Sequence, residues 1–203
     1  MIFNSISFAI FLPIVFALYW FVLKGKIKGQ NILLIVASYF FYGWWDWRFL
    51  ALIFFSSISD FLISRWIEER DNEKQRKILV VISILINLST LFCFKYFDFF
   101  VNEFITIFQS VGIHLEPLSL SIILPIGISF YTFQSMSYTI DVYRKDLKAS
   151  NDVITFLAFI SFFPQLVAGP IERASNLIPQ FKKKRNFDYN TAGDGARQML
   201  WGF

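Results

Sequence analysis

The sequence predicts an all-α, polytopic membrane protein of about five spans, with an amphipathic interfacial helix and one segment that re-enters without crossing. Three observations carry this: charge is scarce, the charge present is clustered, and Pro and Gly interrupt two of the apolar runs. Of 203 residues, 56% are hydrophobic, 20% aromatic and 17% charged, against about 25% charged and 45–50% apolar in an ordinary soluble domain. Too few polar residues are available to cover a water-facing surface, so the bilayer is the better solvent. Met1–Leu23, Gly29–Trp45, Ile78–Phe94, Pro117–Ile140 and Val153–Ile171 contain no Asp, Glu, Lys or Arg and run 17 to 24 residues, the length a spanning helix needs at about 17–25. Phe49–Ser64 is a further candidate, interrupted by Asp60 alone. Lying about one turn from Arg65, Asp60 is expected near the membrane surface, where a charge is cheap.

Met1–Leu23 reads as an uncleaved first span. No basic residue precedes its apolar stretch and no small-x-small cleavage site follows; Lys24, Lys26 and Lys28 come after it instead. That loop has three lysines and no acid, and Arg65–Lys77 holds five basic residues against four acidic ones. The positive-inside rule puts both in the cytoplasm, with the N-terminus and the Asp46–Arg48 connection outside a cell (inner or plasma) membrane. Tyr39, Phe40, Phe41, Tyr42, Trp44, Trp45 and Trp47 surround that connection and suit anchoring at headgroup level. The net charge of +4 belongs to such loops, so nucleic acid is not an expected partner and the lipid bilayer is. Cys93 stands alone, without a disulfide framework or metal-ligand set.

Between Lys95 and Glu116, Lys95, Asp98 and Glu103 fall among phenylalanines. This reads as the amphipathic interfacial helix, closed by a turn at Gly112–Pro117. In Pro117–Ile140, Pro125 and Gly127 predict a kink or break. Beyond them Tyr131, Gln134, Tyr138 and Asp141 recur at spacings of three, four and three, with Ser135 and Ser137 beside them. This polar stripe must face other helices or water, since lipid cannot satisfy it. It reads either as interhelical glue or as a cavity wall. Asp141 and Arg144, at i, i+3, are placed to form a salt bridge at the helix end.

Val153–Phe163 is helical in character, but Pro164 and Gly169-Pro170 interrupt the apolar run beyond Phe163. Eleven residues rise about 16 Å, short of an approximately 30 Å hydrocarbon core. Arg144, Lys145 and Lys148 lie before the segment, and Arg173 and Lys182–Arg185 after it, so both flanks look cytoplasmic and the segment is expected to return. Irregular backbone at membrane depth must be buried in protein or line a cavity. Pro164, Gln165, Gly169 and Pro170 are therefore candidate cavity-lining residues alongside Tyr131, Gln134, Ser135 and Tyr138; a tight helix junction is the competing reading. There is no Gly-rich phosphate loop, no G-x-S-x-G elbow and no Cys/His pair. The single histidine, His114, sits in a loop and reads as solvated.

Ala37–Trp45 (ASYFFYGWW), Leu124–Arg144 (LPIGISFYTFQSMSYTIDVYR) and Phe162–Arg173 (FFPQLVAGPIER), with FKYFDFF at Phe94–Phe100, give the chain a resemblance. It resembles the membrane-bound O-acyltransferase (MBOAT) family, in the bacterial branch of alginate O-acetylation and teichoic-acid D-alanyl transfer. The resemblance implies a ring of helices around a thin, tunnel-pierced centre. It also implies an enzyme moving an acyl group, such as acetyl, from a thioester donor to hydroxyls of an extracytoplasmic polysaccharide or cell-wall polymer. The donor, or a protein carrying it, would arrive from the cytoplasmic side, and no bound cofactor is implied. The family's catalytic histidine matches no position here. The chain therefore reads as the N-terminal part, residues 1–203, of one membrane-embedded domain truncated at its C-terminus, inactive alone, with no catalytic residue and no metal site. A transporter or channel subunit with broken helices is the alternative; a non-catalytic assembly subunit, using Lys182–Arg185 to bind a partner or anionic lipid, is another.

Overall fold

Apolar runs that cannot satisfy their backbone in lipid must close their hydrogen bonds within themselves, and the chain does so with helices throughout. The computed structural model describes residues 1, 3–110, 125, 127–166 and 172–202, and among these no strand forms. Helix α1 is Ile6–Ala17, prolonged by a π-helical turn at Leu18–Val22; Ser5 starts it by accepting from the Phe8 amide at 3.2 Å. Helices α2 (Ile27–Asp46) and α3 (Leu50–Glu68) are joined by a short 3-10 turn, Trp47–Phe49. Asp46 holds that turn by accepting from the Arg48 amide at 2.9 Å and pairing with its guanidinium at 2.6 Å. Helix α4 (Glu73–Leu91) is next, capped by Asn72, which accepts from the Lys74 amide.

After α4 the chain does not break at Lys95. A π-helical turn, Phe92–Tyr96, carries it directly into α5, Phe97–Ser110. The expected amphipathic helix is thus the continuation of α4. No Gly or Pro stops the helix there, and Lys95 finds a partner in the Ser129 hydroxyl at 3.2 Å. The turn expected at Gly112–Pro117, and His114 with it, lie outside the described residues. Of the break expected at Pro125–Gly127, the described residues show the start of the helix that follows it. Gly127 takes φ +75°, a conformation that favours glycine, and α6 (Ile128–Tyr143) begins at the next residue.

Helix α7 (Val153–Ile160) starts at Asp152, whose carboxylate accepts from the Ile154 amide at 3.0 Å. A single turn, α8 (Phe163–Leu166), comes next; then α9 (Ala174–Lys182) and α10 (Tyr189–Gly202). Eight residues give α7 a rise of about 12 Å, far below a membrane crossing. Its path is fixed by α2. The Asn31 side-chain amide donates to Thr155 Oγ1 at 3.3 Å and to the Phe181 carbonyl at 3.1 Å. Between those two points, the Phe163 amide donates to Ser38 Oγ at 3.1 Å. The chain therefore leaves Asn31, advances about 10 Å along α2 to Ser38, and comes back to Asn31.

Two helical stretches, Ile27–Glu68 and Glu73–Gln109, are long and apolar enough to cross a membrane, the first interrupted at Trp47–Phe49. Much of their apolar surface faces outward, including Val36, Phe55, Ile78 and Leu85. The protein is a helical membrane protein. Its core is the junction of α3, α4 and α6, extended through α7 to α2 and α9. A satellite aromatic cluster of Phe8, Phe11, Phe41 and Phe163 pins α1 to α2 and α8. The aromatic run around Asp46 divides. Trp44, Trp45 and Trp47 are exposed, as an anchoring belt needs, whereas Phe41 and Tyr42 are core residues.

Candidate functional site

Three helices that are otherwise apolar each carry a polar i, i+4 pair: Ser56 and Asp60 on α3, Ser83 and Asn87 on α4, Ser135 and Thr139 on α6. The spacing puts each pair on one helix face, and the three faces meet. Asp60 is wholly buried at the centre. The Ser83 and Ser135 hydroxyls and the Asn87 amide (2.8 Å) donate to its carboxylate, while Ser56 donates to Asn87 Oδ1 at 3.1 Å. The expected surface position of Asp60 is thus corrected. The helix faces provide enough donors to replace the water a carboxylate loses on burial, so it need not sit at a helix end.

The stripe on α6 is divided between neighbours. Ser135 serves Asp60. Tyr138, fully buried, accepts from the Ser150 amide at 2.8 Å and from Ser64 Oγ at 3.4 Å. Gln134 turns the other way and donates to the Phe159 carbonyl at 3.2 Å, joining α6 to α7. Tyr131 is fully buried and its hydroxyl has no partner among the described residues; nor do Tyr39 Oη and Gln165 Oε1. These three groups come from α2, α6 and α8, and α8 packs against both of the other helices. Buried polar atoms left unpaired call for an explanation. Gly169 and Pro170 lie outside the described residues.

Asp141 and Arg144 do not form the expected salt bridge: the ion pairs among the described residues are Asp46–Arg48, Arg65–Glu69 and Asp194–Arg197. Helix α6 ends at Tyr143 with Arg144 as its cap, and Lys145 turns the chain at φ +66°. Arg144 is exposed there, where an ion pair gains little. The helix end is held instead by Arg76, which donates to the Tyr143 carbonyl at 2.6 Å and lies over the Tyr143 ring. A cation at a helix C-terminus is favoured by the macrodipole. Glu68 adds a tie by accepting from the Ala149 amide at 2.8 Å.

A cleft of about 460 Å³ opens between α1, α2 and α9. Pro164 lines it together with Leu12, Phe16, Leu34 and Leu177. Arg185 closes one end, held by Asn31 Oδ1 at 2.7 Å and the Phe181 carbonyl at 2.9 Å. Sequence reasoning groups Arg185 with Lys182, Lys183 and Lys184 as one solvated run. The lysines are exposed, but Arg185 turns inward; the polar Gln30-Asn31 pair at the start of an apolar helix is the available signal. Among the described residues no three His, Cys, Asp or Glu side chains converge to hold a metal ion.

Comparison with known proteins adds identity to this geometry. The chain is 39% identical over its whole length to a probable alginate O-acetylase of Pseudomonas syringae pv. tomato, covering 39% of that protein. It is 40% identical to its counterpart in Pseudomonas putida, covering 41% of it. A peptidoglycan O-acetyltransferase of Helicobacter pylori is 31% identical over 92% of this chain, with 40% of that protein covered. The chain thus spans about two fifths of the length of the curated relatives it matches. No family model matches, and no solved structure matches. Along its whole length the chain is similar to probable alginate O-acetylases, and over 92% of it to a peptidoglycan O-acetyltransferase, which fits the O-acetyltransferase branch of the membrane-bound O-acyltransferase family that its sequence blocks resemble.

Proposed function

We propose that the chain forms part of a membrane-embedded O-acyltransferase that moves an acetyl or similar acyl group from a thioester donor to hydroxyls of an exported polysaccharide or cell-wall polymer. The observation that carries this reading is the similarity to O-acetylation proteins along the entire chain. The fold supports it. The chain meets α2 at Asn31, then at Ser38 about 10 Å further along, then at Asn31 again, a path too short for two crossings by its described residues. Tyr131, Tyr39 and Gln165, on α8 and the two helices it packs against, carry unpaired polar atoms. Such a place can receive a hydroxyl and a thioester from opposite sides while excluding water, which would otherwise hydrolyse the donor.

The chemistry of the whole protein is general-base catalysis. The acceptor oxygen attacks the thioester carbonyl carbon, the new C–O bond forms, and the C–S bond breaks to release the donor thiol. The hydroxyl proton goes to a buried histidine beyond Phe203, which passes it to the leaving thiolate, so that the donor departs as the thiol and the histidine is restored. Residues 1–203 supply wall and scaffold, not the base. The donor, free or on a carrier protein, reaches the basic end of the bundle from the cytoplasm, with the N-terminus outside the inner membrane. The transporter alternative gains nothing from the comparisons.

The test uses membranes containing the complete protein, a thioester carrying isotope-labelled acetyl, and the exported polymer. Label is expected as alkali-labile ester on polymer hydroxyls. Label that crosses the membrane without forming ester would assign transport instead; label in neither place would overturn the reading.

A further inference from the structure

A buried or half-buried cation ordinarily has a carboxylate beside it; Arg185 has none. Its Nε donates to the Gln180 carbonyl at 3.1 Å, and Nη2 donates to Asn31 Oδ1 at 2.7 Å and the Phe181 carbonyl at 2.9 Å. Nη1 has a long contact, 3.5 Å to Gln30 Oε1, and the Tyr19 hydroxyl also reaches the guanidinium. The rings of Tyr19 and Phe181 lie 5.5 and 5.4 Å from the guanidinium carbon. Every acceptor is neutral, and no carboxylate of the described residues comes within ion-pair distance. The guanidinium is therefore held in place by neutral acceptors, with its charge uncompensated by any carboxylate of the described residues.

The cleft that Arg185 closes is apolar along its length, with Leu12, Val15, Phe16 and Leu34 among its walls. Its volume, about 460 Å³, falls within the roughly 300–1,000 Å³ of small-molecule sites. It opens beside Phe16, an apolar residue of α1 that lines the cleft and is itself exposed. One end thus presents a fixed cation without a carboxylate, suited to an anionic oxygen. The rest fits hydrocarbon.

We propose that this cleft binds an anionic membrane phospholipid, its phosphate on Arg185 and one acyl chain between α1 and α9. The occupant is a lipid and not a soluble phosphate because the apolar walls continue into the surface of α1. Lys182, Lys183 and Lys184, exposed beside the mouth, enrich anionic lipid nearby, and Arg185 selects it.

The experiment is native mass spectrometry of the complete protein released from mixed phosphatidylglycerol–phosphatidylcholine membranes. One charge contact of about 1 kcal/mol predicts retention of phosphatidylglycerol about fivefold above phosphatidylcholine. Arg185→Gln should abolish the preference. Because Arg185 also ties α2 to α9, Leu12→Trp provides a second variant that fills the cleft and leaves the arginine's bonds intact; it should abolish retention too. The triple change of Lys182, Lys183 and Lys184 to Ala should lower occupancy but keep the preference. Four results would each overturn the proposal: no phospholipid retained by the wild type, unchanged preference in Arg185→Gln or Leu12→Trp, loss of preference confined to the triple variant, or full competition by soluble glycerol phosphate.

Discussion

At the scale of single residues, Asp60 does most to define the interior. Its carboxylate accepts from α3's two neighbours at once, through Ser83 and Asn87 on α4 and Ser135 on α6. Removing it leaves three buried donors without an acceptor. One unsatisfied buried group costs about 1–3 kcal/mol, while a single interhelical bond in a membrane averages about 0.6 kcal/mol. Asp60→Ala is accordingly expected to destabilise the protein by about 2–3 kcal/mol. Asp60→Asn, which keeps one acceptor oxygen, should cost less, and Ser56→Ala, which touches Asp60 only through Asn87, least. Thermal unfolding in detergent checks the order; equal midpoints for Asp60→Ala and wild type would remove the cluster from the forces holding α3, α4 and α6. Of these residues only Asp60 and Ser135 stand out in the sequence, and nothing local to any one helix tells that the three pairs converge. A lone acid five residues before Arg65 reads locally as a surface charge; only helix packing decides otherwise.

At the scale of elements, the helix breaks were the most legible feature, because Pro and Gly act through the local backbone. Gly127 stands at φ +75° directly before α6. A Cβ in the left-handed region costs about 1–2 kcal/mol, so Gly127→Ala should lower stability by that amount; an unchanged unfolding midpoint would mean that the chain can start α6 by another route. The join of α4 to α5 was not legible, since charged residues mimic a helix end and a π-helical turn has no residue signature. The return of the α7–α9 segment was legible from charge and length, and the structure adds its anchor: Thr155 and Phe181 share the Asn31 amide. Cysteines placed at Asn151 and Lys183, both exposed, in a Cys93→Ser background, should react with an impermeant maleimide from the same side of sealed vesicles. Labelling from opposite sides would require the segment to cross.

At the scale of the whole molecule, the basic loops gather at one end of the bundle. Tyr19 meets Gln30, Asn31 meets Thr155, Phe181 and Arg185, Arg76 meets Tyr143, and Glu68 meets Ala149. The opposite end holds the Met1 amine on the Phe41 carbonyl and the Asp46 turn. This one-sidedness is what a membrane protein with a fixed orientation needs, and its interior ties are made within residues 1–203. The aromatic core around Phe41 and Phe163, the Asp60 centre and the Asn31 ties are made among the described residues. The unpaired polar atoms of Tyr131, Tyr39 and Gln165 find no partner among them. Since the chain spans about two fifths of its relatives' length, the two facts separate folding from activity. Residues 1–203 expressed alone should insert, resist protease as a helical bundle and show no acyl transfer in the labelled-acetyl assay; co-expression with the remainder of the protein as a separate chain should restore ester formation. Transfer by residues 1–203 alone would place the catalytic base inside this segment and undo the division between scaffold and base.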